Sequence, residues 1–253
     1  MSPSIWTRCA GRSELGPLRG RFCRVVEAQF RNSTRKLVGS DAEQEALEEL
    51  IDRAKDPIPP GFEDLHYLLY TPFRHPPLRN GSRFGTRQER GILYAARELP
   101  TALAEVAYYR LVFLEGTAAD LGDLHVDLTA FWFGISAARA VDLSAPPFRA
   151  HEAQISSRTE YGASQRLGVE MRAAGVQASL YVSARAEGRA LDLAVFENVF
   201  QPRRPLREQG WSCTANVRGV EFRSRAMLAA SQRHAFARAQ FEVAGRLPAP
   251  ALA

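Results

Sequence analysis

Lysine is almost missing from this 253-residue chain: all but Lys36 and Lys55 of its 33 basic residues are arginine. A phosphate-binding loop of the GxxxxGK[ST] type has no lysine to build on, and none occurs. Cysteine is scarce too, with only Cys9, Cys23 and Cys213. An odd number without CxxC spacing excludes a disulfide framework and a cysteine-based zinc site, and it points to a reducing compartment, the cytoplasm. No apolar run approaches the roughly 20 residues that cross a bilayer. The opening Met1-Ser2-Pro3-Ser4-Ile5-Trp6 lacks the basic-then-apolar order of a secretory signal, so no membrane partner is expected. The five histidines (His66, His75, His125, His151 and His234) form no HExxH or other close pair, and no metal is expected. GxGxxG and GxSxG are absent as well, which removes the usual dinucleotide fingerprint and the nucleophile elbow.

What is present is the balance of an ordinary globule, 45% hydrophobic and 24% charged. The net charge of +5 raises the question of nucleic acid, because Arg203, Arg204, Arg207, Arg218, Arg223 and Arg225 cluster late in the chain. Aromatic residues do not interleave with them as a base-stacking platform requires. Guanidinium forks suit a phosphorylated small molecule equally well.

Residues 1–20 read as an N-terminal arm, 21–225 as the main domain with a helical insert at about 40–56, and 226–253 as a C-terminal helix and tail. Arg21–Val26 has the look of a short strand. Ser40 followed by Glu43 is a capping box that opens a helix with Leu47, Leu50, Ile51 and Ala54 on one face. Asn80-Gly81 marks a turn. Gly91–Ala96 reads as a buried strand, and Pro100 starts a helix that turns Leu103, Val106, Ala107, Leu111 and Leu114 inward. Leu124–Thr129 alternates as a half-buried strand and Ala140–Leu143 reads as another. A helix over 163–173 ends at Gly175, strands follow at 177–183 and 191–196, 211–222 has strand character, and 227–243 reads as a helix. Strands and helices mix without βαβ alternation, so the fold class is α+β, a compact mixed sheet core with flanking helices.

Four segments stand apart: Phe22-Cys23-Arg24-Val25-Val26; Gly81-Ser82-Arg83-Phe84-Gly85; Ile92-Leu93-Tyr94-Ala95-Ala96 with Thr101-Ala102-Leu103-Ala104-Glu105; and Tyr161-Gly162-Ala163-Ser164-Gln165 with Leu180-Tyr181-Val182-Ser183-Ala184-Arg185. Tyr94 stands midway between Arg83 and Glu105. In this order the segments resemble the RES-domain toxins, a family named for recurring arginine, glutamate and serine. The resemblance runs from about Phe22 to Phe200. Two departures are a long insert between Arg24 and Arg83 and a Gly-Ser-Arg-Phe turn where Gly-Gly-Arg-Trp is commoner. They bear on substrate details more than on the core chemistry.

The resemblance implies a core similar to ADP-ribosyltransferases and an enzyme that consumes NAD. It implies the toxin of a type II toxin–antitoxin pair, with an Xre-type helix-turn-helix antitoxin as partner and an oligomeric complex of the two. ADP-ribose would pass to a cytoplasmic protein, in one known branch an enzyme of nucleotide biosynthesis. Phosphorolysis or hydrolysis of NAD is the alternative. Glu105 is the expected catalytic carboxylate, since breaking the nicotinamide–ribose bond builds positive charge on the sugar. Arg24 and Arg83 suit the pyrophosphate, with Arg31 a further phosphate contact, and Arg24 is also expected among the catalytic residues with Glu105 and Ser183. Tyr94 offers a flat face to the nicotinamide. Ser183 is placed to hold the ribose or to orient Glu105. The Glu-x-Glu or Gln-x-Glu pair of arginine-modifying transferases is absent at Ala104-Glu105-Val106, which disfavours an arginine acceptor. A non-enzymatic reading remains beside these: a basic nucleic-acid-binding module using residues 203–225.

Overall fold

The computed structural model describes residues 3–28, 38–54, 56–75, 79–225 and 232–250. In chain order the elements are α1 (Ile5–Arg8), β1 (Gly16–Glu27), α2 (Asp41–Ala54), α3 (Tyr67–Arg74), β2 (Leu93–Ala96), α4 (Leu99–Glu115), β3 (Leu124–Asp142), α5 (Glu152–Ile155), α6 (Gly162–Ala173), β4 (Ala178–Val182), β5 (Leu191–Val195), β6 (Arg207–Asn216), β7 (Gly219–Ser224) and β8 (Arg233–Ala237). The α+β class holds, with a mixed eight-stranded sheet.

Strand β3 organises the sheet. Its middle, Leu128-Thr129-Ala130-Phe131, is buried throughout because it is paired on both edges, with β1 on one side and β6 on the other. Its far end, Ala140–Asp142, runs parallel to β4. From β4 the order continues through β5 and β2, and β2 meets β1 at the Ala96–Cys23 pair. Since β1 also pairs with β3, strands β1-β2-β5-β4-β3 close on themselves as a ring. The hairpin series β6-β7-β8 extends outward from β3.

Helix α4 fills the space between these parts. Leu103, Ala107 and Leu111 pack with Trp211, Phe222 and Phe241 in one core cluster. A second cluster joins Leu69 and Phe73 of α3 to Phe22, Phe131 and Phe133. A third joins Trp6, Phe148, Met171 and Phe196.

Several expectations change. Over its described residues, 3–20, the expected arm is instead α1 plus the start of β1, and Ile5, Trp6 and Cys9 are buried; the glycines and arginines of that stretch hid a strand whose outer residues face water. The separate strand expected at Ala140 is the end of β3. The C-terminal helix is overturned over residues 233–243, which form β8 and a 3-10 turn at Arg238–Gln240. There an Ala- and Arg-rich, helix-favouring composition yields to pairing with β7, with His234 and Phe236 turned inward. Residues 227–231 of that expectation lie outside the described residues. The helix after Ser40 forms: Ser40 Oγ accepts from Glu43 N at 3.2 Å, and the Glu43 carboxylate reaches back to Gly39 N at 2.7 Å. Its apolar face is not covered, however, for Leu50 and Ile51 are exposed.

Candidate active site

A cavity of about 240 Å³ opens where the ring of strands meets α4 and the 80–85 turn. The turn is built around Gly81, whose φ of +73° favours glycine and where a Cβ would stand 2.2 Å from Gly85 O. Ser82 N donates to Gly85 O at 2.7 Å. Gln165 on α6 clamps the turn from outside, its Nε2 donating to the carbonyls of Asn80 and Ser82 at 3.0 and 3.1 Å. Helix α6 approaches so closely that a Cβ on Gly168 would lie 1.9 Å from Phe84 O.

Within this frame Arg83 is buried. Its Nη1 donates to Ile155 O and Ser157 O, each at 3.0 Å, and its guanidinium lies 4.9 Å from the Tyr161 ring centre and 6.0 Å from that of Tyr181. Burial alone would lower its pKa, but Tyr161, Tyr181 and Glu105 outweigh that and hold it above the ordinary value. Arg24 projects from β1 beside it. Its Nη1 donates to Tyr94 O at 2.6 Å, while Nε is buried without a partner. Burial pulls the Arg24 pKa down to about 10, against the opposing pull of Tyr109, Tyr181 and Tyr94, so the group stays cationic at neutral pH.

Pro100 fixes the start of α4, and from there Ala102, Glu105, Val106 and Tyr109 follow at the spacing that puts them on one helix face; all four line the cavity. The Glu105 carboxylate accepts from Ser183 Oγ at 3.0 Å. Ser183 follows β4 directly, and its Oγ accepts from the backbone N–H of Arg185 and of Ala186, both at 3.3 Å. With both lone pairs occupied, the one hydroxyl proton is left to point at Glu105.

Tyr94 has a structural bond besides any ring face it offers. It lines the cavity, but its Oη accepts from Phe84 N at 3.0 Å and lies 2.9 Å from Ser82 Oγ. The phenol fastens the arginine-bearing turn to β2, and burial pushes its pKa up to about 12. Arg24, Arg83, Tyr94 and Glu105 therefore share one cavity, with Ser183 bonded to Glu105. Arg31 lies outside the described residues.

The sequence reading passed over four further lining residues: Tyr109, Tyr161, Tyr181 and Asp192. Tyr161 and Tyr181 stood inside quoted segments without a role. Asp192 carried the clearest signal, an acidic residue in the apolar strand Leu191-Asp192-Leu193-Ala194-Val195. It is 1% exposed, and burial with the nearby Glu105 charge raises its pKa well above the ordinary carboxylate value.

Two cations, a cluster of phenols and a serine-held carboxylate suit an anionic ligand that carries a planar ring. Among the described residues no group of three or more His, Cys, Asp or Glu side chains is gathered to hold a metal ion. No helix among them is long and apolar enough to cross a membrane.

The RES-domain family model matches residues 58–216, more than half of the chain, and the matched stretch contains Arg83, Tyr94, Glu105, Ser183 and Asp192. No curated protein matches significantly. Among solved structures, a chain of the M. tuberculosis MbcT–MbcA toxin–antitoxin complex is similar over 82% of this chain and 91% of that one, at 14% identity and a TM-score of 0.49.

Proposed function

The chain belongs to the RES-domain family, and from that premise we propose that it is the toxin of a bacterial toxin–antitoxin pair, an enzyme that cleaves NAD at the nicotinamide–ribose bond and transfers ADP-ribose to a cytoplasmic protein. The observation that carries this reading is the Glu105 carboxylate, held by Ser183 at 3.0 Å inside a cavity that also presents Arg24 and Arg83. As the glycosidic bond lengthens, positive charge grows on the ribose. A carboxylate already oriented toward the cavity stabilises that charge without reorganising at the moment of reaction. Arg24, with an unpartnered buried Nε, and Arg83 supply fixed positive charge for the pyrophosphate. The cavity, about 240 Å³, is smaller than the roughly 300–1,000 Å³ that buries a drug-sized ligand whole. The nicotinamide riboside half would sit inside, and the adenosine half would lie over the mouth, where Tyr109 is 47% exposed.

The late arginines favour this reading over a nucleic-acid module. Arg203 pairs with Asp64 at 2.6 Å, Arg225 with Asp127 at 3.0 Å and Arg223 with Glu221, while Arg207 lies 4.7 Å from the Trp132 ring centre. Three of the six late arginines are thus engaged with carboxylates, which reduces the positive charge they offer a phosphate backbone. A helix-turn-helix antitoxin, assembled with the toxin as an oligomer, is the proposed protein partner.

The test uses NAD labelled in the adenine half. Incubation with purified protein and cell lysate should label one protein band, and Glu105→Ala should reduce that labelling at least ~100-fold, the scale of losing a focused electrostatic stabiliser. Consumption of NAD that lysate does not raise and that labels no protein band would replace transfer, by phosphorolysis where phosphate accelerates it and by hydrolysis where it does not.

A further inference from the structure

Asp192 sits on β5 opposite Tyr181 of β4 and Ala96 of β2, lines the same cavity as Glu105 and is 1% exposed. Neither of its carboxyl oxygens receives a hydrogen bond. The groups facing it are Glu105 from α4, Ser183 and Tyr181 from the β4 side, Cys23 from β1 and Arg83 from the turn. The Ser183 hydroxyl proton is committed to Glu105, and Arg83 Nη1 to the 155 and 157 carbonyls. An ionised Asp192 would thus be a buried anion without a donor, beside a second carboxylate. A protonated Asp192 resolves this: the Glu105 carboxylate is an acceptor within hydrogen-bonding reach of its O–H. Ser183, its acceptor capacity spent on Arg185 N and Ala186 N, is excluded.

We propose that Asp192 is a positioning residue of the site, a neutral carboxylic acid that donates a hydrogen bond to Glu105 and, with Ser183, holds that carboxylate in one orientation toward the scissile bond. The proposal deepens the NAD-cleaving reading and rests on it. Burial and the Glu105 charge favour the protonated form and outweigh the opposing pull of Ser183 and Arg83. A donor retained is then what matters at position 192, and a negative charge there is harmful.

The experiment compares wild type, Asp192→Asn and Asp192→Ala by nicotinamide release across pH, together with infrared difference spectra. Asparagine keeps an N–H donor and should lose no more than about threefold in kcat. Alanine removes the donor and should lose about tenfold or more in kcat, with KM little changed. Wild-type kcat should fall on the alkaline side as Asp192 ionises, and Asp192→Asn should lack that limb. The wild type minus Asp192→Asn spectrum should show a carboxylic-acid C=O band at neutral pH. An asparagine variant as impaired as alanine, a shared alkaline limb, or an absent band would each overturn the proposal. A wild-type protein that releases no nicotinamide would instead sink the NAD-cleaving reading, and the infrared band, which needs no substrate, would still decide the state of Asp192.

Discussion

Ser183 illustrates how much of a side chain's chemistry is set by what else it bonds. A hydroxyl has one proton, and two backbone N–H groups occupy its oxygen, so the proton goes to Glu105. Ser183→Ala should lower kcat about tenfold, the lower end for a hydrogen bond to a charged group, and lower the melting temperature as well, because the residue is buried and its loss leaves the N–H groups of Arg185 and Ala186 without their acceptor. Steady-state kinetics and a melting curve check both parts. Asp192 gives a stability prediction of opposite character. Its pKa is raised above the ordinary 3.8, so its contribution to stability is complete below that value and is lost as pH rises through the native pKa. Asp192→Asn cannot ionise, and its denaturation midpoint should fall less than that of wild type between acid and alkaline pH. Parallel midpoint-versus-pH curves would contradict this. Arg24, Arg83, Glu105 and Ser183 were legible from the order of motifs. The burden on Tyr94 was not, because a buried-strand pattern does not show that the tyrosine hydroxyl accepts from Phe84 N.

Among the elements, the short turn of residues 80–85 bears the most consequence. It has no regular structure of its own and is held by Gln165, Tyr94 and the close approach of α6 at Gly168. Gly168→Ala places a methyl 1.9 Å from Phe84 O, which neither backbone can absorb without moving. It should destabilise the protein by about 1–3 kcal/mol, as overpacking does, and raise KM for NAD by displacing Arg83. Chemical denaturation and a KM measurement test the pair of effects; unchanged KM would detach the turn from binding. At this scale the sequence was most readable where local pattern and tertiary contact agree, as in α4, α6, β4 and β5. It misled where contact overrides propensity. The strand β8 owes its form to β7 across the hairpin, and β3 runs on through what looked like a break because β1 pairs along nearly its whole length.

For the molecule as a whole, the decisive feature is the closure of β1-β2-β5-β4-β3. Residues 24, 94 and 192 come from three strands of that ring, and α4 lies across it with Glu105. Closure depends on β1 pairing with both β2 and β3, a long-range relation that no periodicity encodes, and this is why Asp192 went unassigned while its strand was recognised. Among the described residues that line the cavity the cations are Arg24 and Arg83, while other arginines pair with carboxylates across the surface, Arg90 with Glu197, Arg189 with Glu152 and Arg225 with Asp127. The central claim is that this cavity cleaves NAD through Glu105. The most direct measurement is nicotinamide released from NAD by purified wild type and by Glu105→Gln, which keeps the size of the side chain and removes its charge. The account predicts release by wild type and a rate at least ~100-fold lower for the glutamine variant at similar melting temperature; equal rates in the two proteins would contradict it.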